Sequence, residues 1–236
     1  MTTLTRSLGG LQTPLLTITN EVINISKKRT VIICGRIHPG ETNASWVLHG
    51  IIDFLISKNA SQLRDNLVFK IVPLMNPDGV VSGNYRTSFI GKDLNRLYLQ
   101  GGDDKEAKYN KMEDILKPEI IAMKRLIKDC KTDGSKGILA FIDVHHHSQK
   151  RGAFMFGPSY PIQNSKYMEV RVLPKLLSML LPDIFRLQSC KFKDHSYKEN
   201  CARIYCEKEA NITYSYCFEC SQQGYYTLER DPERVI

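Results

Sequence analysis

The chain has 236 residues, 42% hydrophobic and 25% charged, a composition that excludes disordered, fibrous and collagen-like chains. Its 33 Lys and Arg against 25 Asp and Glu leave a net charge of +8, which favours acidic partners: nucleic acid, an anionic surface or an acidic peptide. The longest apolar stretch, 45–56, is broken by His49, Gly50 and Asp53 and falls short of the ~20 residues of a membrane span.

In chain order, short apolar runs bounded by turn residues predict buried strands over 15–19, 31–34, 67–74, 138–144 and 213–219. Ala44, Val47, Leu48, Ile51, Ile52 and Leu55 repeat with a helical period. Pro118 suits the first turn of a second helix, followed by Ile120, Ile121, Met123, Leu126 and Ile127. A third helical pattern runs over 167–181, with a kink or restart expected at Pro174. Residues 101–105 (GGDDK) read as a loop. Strands alternating with helices predict an α/β fold, a mixed central sheet flanked by helices on both faces. Functional residues in such sheets collect at the carboxyl ends of strands.

The N-terminus lacks the apolar core of a secretion signal. The seven scattered cysteines therefore read as reduced thiols of a cytoplasmic protein. Most serve as small buried hydrophobes. Cys217 and Cys220 form a CxxC around Glu219, but residues three apart in a strand point to opposite faces, against a joint site. Lys166, Arg171 and Lys175 read as a solvated helix face, since no nucleic-acid motif accompanies them.

Two constellations carry chemistry. After the strand over 31–34 comes His38-Pro39-Gly40-Glu41, whose imidazole and carboxylate, three residues apart, one helical turn can aim at one point. Such a pair suits zinc, yet a first-turn acid beside a polar loop histidine fits the same four residues. The second is His145-His146-His147, ending the strand over 138–144. Only His145 and His147 share a side of a strand, and the run fits either a metal ligand or a polar strand end.

Joined to the motifs NPDGV (76–80), GNYR (83–86), DLNR (93–96), DVHHHS (143–148), FMFG (154–157), LPKLL (173–177), CAR (201–203) and YSYCFE (214–219), these pieces resemble the zinc carboxypeptidases. The resemblance is to the cytosolic carboxypeptidase branch, which trims glutamate from protein C-termini and side chains. It implies one zinc per chain held by His38, Glu41 and His145, with Asp93 fixing the tautomer of His38. Arg86 would stabilise the oxyanion of the scissile carbonyl. Asn95 and Arg96 would hold the substrate's terminal carboxylate. Glu219 would be the general base acting on water. Arg203 falls in the segment that lines the family's pocket for the terminal side chain, where a cation selects Glu or Asp. Tyr197 lies in the region of the family's substrate-contacting tyrosine.

The implied partners are acidic C-terminal peptides and polyglutamylated tails, tubulin among them, with no nucleic acid and no membrane, in a cytoplasmic and cytoskeleton-associated setting. The resemblance also implies a single catalytic domain over 1–236, without the branch's preceding β-sandwich domain and final helix. That leaves one sheet face partly uncovered, an apparent truncation at both ends. Two other readings compete. An aspartoacylase-like zinc amidohydrolase shares the HxxE and the distant histidine. A catalytically weak module would only grip acidic tails.

Overall fold

A computed structural model describes residues 1–99, 115–193 and 200–225. The loop expected over 101–105 and Tyr197 lie outside the described residues. The strands are β1 (Thr2–Arg6), β2 (Gln12–Ile18), β3 (Arg29–Gly35), β4 (Leu67–Val72), β5 (Ile138–His147), β6 (Ala153–Phe156) and β7 (Tyr214–Ser221). They form one sheet in the order β1-β2-β4-β3-β5-β7-β6. The core strands β4, β3, β5 and β7 are parallel, while β1, β2 and β6 run antiparallel to their neighbours. The sheet is mixed, as expected. The sequence reading did not include β1, which is mostly polar, or assign β6 as a strand, which has only four residues.

Helices cover both faces because the parallel strands are apolar on both. In β3, Ile32 and Cys34 pack into one core with α4 (Pro118–Thr132) and α6 (Ala202–Lys208). Val31 and Ile33, one residue out of phase, pack into the other with α1 (Asn43–Ile56). Two short helices, α2 (Ser61–Asn66) and α3 (Pro77–Val81), lead into β4 and out of it.

The third helix, α5 (Lys166–Leu180), runs unbroken through Pro174, so the restart weighed as one alternative does not occur. A proline cannot donate to the carbonyl four residues back. Here that carbonyl, of Val170, accepts instead from the buried Tyr216 hydroxyl at 3.0 Å. Strand β7 thus repairs the one bond the helix loses.

Chain direction places the site. From β3 the chain steps through α1 to β4 on one side of the sheet, then later crosses to β5 on the other side of β3. The strand order therefore reverses between β3 and β5, and the carboxyl ends there open into a crevice.

Candidate metal centre and substrate cleft

His38, Glu41 and His145 meet at this crevice, all buried, with one ligand atom from each lying within 4.8 Å of the others. The segment after β3 is shaped by Arg36, whose φ of 57° lies in the left-handed region that few non-glycine residues occupy. Its guanidinium donates to the Pro39 carbonyl at 2.7 and 3.0 Å and to the Ser45 hydroxyl at 2.8 Å. The loop is thereby tied to α1. His38 and Glu41 sit in the turn ahead of α1, and not on a helical turn as the spacing suggested. The Glu41 amide donates to the His38 carbonyl at 3.2 Å, and that turn brings the two side chains together.

Gly40 is required by close approach. A Cβ there would meet the Tyr85 ring at 2.4 Å and its carbonyl oxygen at 2.8 Å. The Gly40 amide donates to that carbonyl at 2.7 Å. The turn that carries Glu41 thus fixes the residue beside Arg86.

Both histidines present Nδ1 to Glu41, His38 at 2.7 Å and His145 at 2.9 Å. Each is backed at Nε2 by an aspartate: His38 by Asp93 at 3.1 Å and His145 by Asp143 at 2.6 Å. A ring nitrogen that donates to carboxylate leaves the opposite nitrogen as a lone-pair donor, the arrangement of metal-ligating histidines. Two imidazole nitrogens and a carboxylate, with room for water, are also the donor set of a catalytic zinc. Burial by itself would raise the Glu41 carboxyl, but His145 and His38 hold it well below the usual carboxylate range. Burial opposes the imidazolium of His145, and Asp143, Cys217 and Glu41 outweigh it, raising its pKa well above the ordinary value.

Asp93 does two jobs. Its second oxygen accepts from Arg86 Nε at 2.9 Å and Nη2 at 2.7 Å, so one carboxylate positions both a candidate ligand and a cleft cation. Burial would raise its pKa, and His38, Arg86 and Arg96 depress it instead.

Strand register places the remaining carboxylate. His145 of β5 pairs with Glu219 of β7, and Asp143 pairs with Cys217. Register neighbours share a face, so all four side chains point to the same side. Glu219 lines the cleft and accepts from the Cys217 thiol at 3.4 Å. Cys220 points the other way and donates to the His145 carbonyl at 3.1 Å, as alternation predicts. His146 is not part of the ligand cluster; its backbone N–H donates to Glu41 at 3.0 Å.

Glu219, Arg86, Asn95, Arg96 and Arg203 all line one cleft of about 390 Å³ with the ligand cluster. Asn95 lines the cleft, where the resemblance expects it, and its carboxamide also bridges two of the cleft's walls. It is buried, its Nδ2 lies 3.2 Å from Asp143, and its Oδ1 accepts the Ala202 amide at 2.9 Å. Its carboxamide thus joins β5 to the start of α6, which carries Arg203. Arg203 is buried and donates to the Gly157 carbonyl at 2.9 Å.

Asp143, in the DVHHHS motif, has a role that the motif alone does not assign. Its position two residues before His145 was the available signal, because residues i and i+2 of a strand share a face. Arg36 left no comparable signal.

A family model described as zinc carboxypeptidase matches residues 1–233. Cytosolic carboxypeptidase 2 of Xenopus tropicalis is 37% identical over 227 residues, 94% of this chain and 22% of that protein. Cytosolic carboxypeptidase 4 of Mus musculus is 36% identical over 243 residues, 94% of this chain and 20% of that protein. The chain therefore spans about a fifth of the length of these relatives. Among solved structures, a metallo-carboxypeptidase from Burkholderia cenocepacia superposes with a TM-score of 0.74 at 25% identity, over 93% of this chain and 55% of that one.

Proposed function

The chain belongs to the zinc carboxypeptidase family, and we propose that it hydrolyses the C-terminal peptide bond of acidic tails, releasing glutamate. One observation carries the reading: the His38, Glu41 and His145 cluster shares its cleft with the carboxylate of Glu219 and three arginines.

His38, Glu41 and His145 would hold the metal. Zinc, when bound, supplies Lewis acidity that polarises a carbonyl and makes water nucleophilic near neutral pH. Glu219 takes the proton of the attacking water and later returns it to the leaving amine as the C–N bond breaks. Arg86, oriented by Asp93, faces the charge that develops on the carbonyl oxygen. Arg96 pairs with the substrate's free carboxylate. Asn95 joins Arg96 in holding that carboxylate and also ties the first residues of α6 to β5.

Arg203 sets the preference for an acidic terminal side chain. A guanidinium lining the pocket pairs with a carboxylate side chain in its planar fork and has no such pairing with an apolar one. Polyglutamylated tails, including those of tubulin in a cytoplasmic, cytoskeleton-associated setting, present that chemistry.

The test uses zinc-loaded protein and a peptide ending in several glutamates, followed by mass spectrometry. Stepwise loss of glutamate is expected. Glu219→Gln should lower kcat by roughly 10²–10⁴-fold with zinc still bound. Arg203→Met should narrow the preference for glutamate over leucine ends by about tenfold or more. Retained zinc with no release of glutamate from any acidic peptide would refute the reading.

A further inference from the structure

The cleft holds two cations that the catalytic reading does not use. Lys191 and Lys193 both line it, and both are exposed. Neither forms an ion pair or side-chain hydrogen bond among the described residues.

The backbone of Lys191 is held on both sides. The Lys191 amide donates to the Met155 carbonyl at 3.1 Å, and the Lys191 carbonyl accepts from the Gly157 amide at 2.9 Å. This bridge continues the edge of the sheet beyond β6. Phe192 faces inward: the Arg171 guanidinium lies 4.3 Å from its ring centre, and a Cβ on Gly157 would meet the ring at 2.7 Å. With Phe192 packed against Arg171 and Gly157, its two neighbours both line the cleft.

The spacing matters for a ligand. Side chains two apart in an extended segment recur at roughly 6.6–6.8 Å, and those of an extended peptide recur at the same interval. The carboxylates already in the cleft have partners: Glu41 with both histidines, Asp143 with His145, and Glu219 with the Cys217 thiol. The two lysines are therefore left to face an incoming chain.

We propose that Lys191 and Lys193 form a second acidic subsite, reading alternate side-chain carboxylates of the residues that precede the cleaved bond. This deepens the deglutamylase reading and rests on it. Under it, Arg203 reads the residue that leaves, while the lysine pair makes the enzyme count the acidic residues that remain. Cleavage would slow as a glutamate tail shortens.

The test compares two peptides that both end in glutamate, one with glutamate and one with glutamine at the four preceding positions. The ratio of their kcat/KM values is measured for zinc-loaded wild type and for Lys191→Gln/Lys193→Gln. A control, Lys27→Gln/Lys58→Gln, removes the same charge from exposed positions at the opposite end of the parallel strands. The cleft variant should lose preference for the acidic peptide by about two- to fivefold per lysine, the range of an exposed ion pair. The loss should fall mainly on KM and fade at high salt. An unchanged ratio, an equal loss on both peptides, or the same change in the control would overturn the proposal.

Fluorescence anisotropy with labelled forms of both peptides runs in parallel and needs no turnover. If wild type cleaves neither peptide, the catalytic reading fails on its own. Tighter binding of the acidic peptide that only the cleft variant loses would still support the subsite, and equal affinities would overturn it.

Discussion

Asp143 Oδ2 lies 2.6 Å from His145 Nε2, and both residues are almost wholly buried. The same carboxylate also reaches the Cys34 thiol at 3.5 Å and the Asn95 carboxamide at 3.2 Å. One acid thus fixes a candidate ligand histidine and ties it, through Asn95, to the amide that opens α6. Asp93 serves His38 and Arg86 in the corresponding way. Each candidate ligand histidine is therefore oriented by an aspartate that also orients part of the cleft wall.

Asp143→Asn is expected to weaken zinc binding by about 10–100-fold, the usual cost of losing a histidine's supporting carboxylate. Competition with a zinc chelator measures it. Circular dichroism on the same samples separates a loosened site from an unfolded chain. Unaltered zinc affinity in a folded variant would refute the role assigned to Asp143.

Gly40→Ala forces a methyl group into the Tyr85 ring and carbonyl. Neither contact can be kept, so Tyr85 moves and carries Arg86 with it. Misplacing a transition-state donor by about 1 Å can cost on the order of 10²-fold. The loss is expected in kcat more than in KM, and steady-state kinetics on a glutamate-ended peptide reads the split.

Lys28 is 1% exposed and is satisfied by three oxygen acceptors: the Thr19 hydroxyl and the carbonyls of Asn20 and Arg64. It pins the loop after β2 to α2. Lys28→Met keeps the length of the chain but removes three charge-assisted hydrogen bonds, each worth roughly 1.5–3 kcal/mol, while the Arg64 and Asn20 carbonyls keep the amides of Asn20 and Ile23. A clear fall in the urea midpoint is expected, with the m-value unchanged.

Glu119 stands in the first turn of α4 and is nearly buried. Burial, with Asp78 nearby, pushes its carboxyl up from 4.5 to about 7, against the pull of the helix backbone. Between those values the unfolded chain binds fewer protons at this site than the folded one. Its contribution to stability is therefore greatest below pH about 4.5 and declines as the pH rises to about 7. Glu119→Gln should remove that decline and raise Tm at pH about 8 relative to wild type, with little difference at pH about 4. Thermal unfolding of both proteins across this range measures the difference.

Sequence and tertiary structure contributed different things. The five apolar runs, the three helical patterns and the α/β class were legible because burial on both faces of a parallel sheet demands continuous apolar strands. The candidate ligands were legible because the ordered motifs point to them. By itself, the spacing of His38 and Glu41 left a bland alternative open. The continuity of α5 was not legible, because it depends on a hydroxyl from β7, 42 residues after Pro174 in the chain. The roles of Asp143 and Asn95 were equally hidden. Asn95 reads as a polar cleft residue, and only packing shows its carboxamide also bonded to β5 at one end and α6 at the other. Local pattern encodes which side a residue faces, and that much the sequence determined. Which distant atom meets it there depends on strand register and helix docking, which only the folded chain decides.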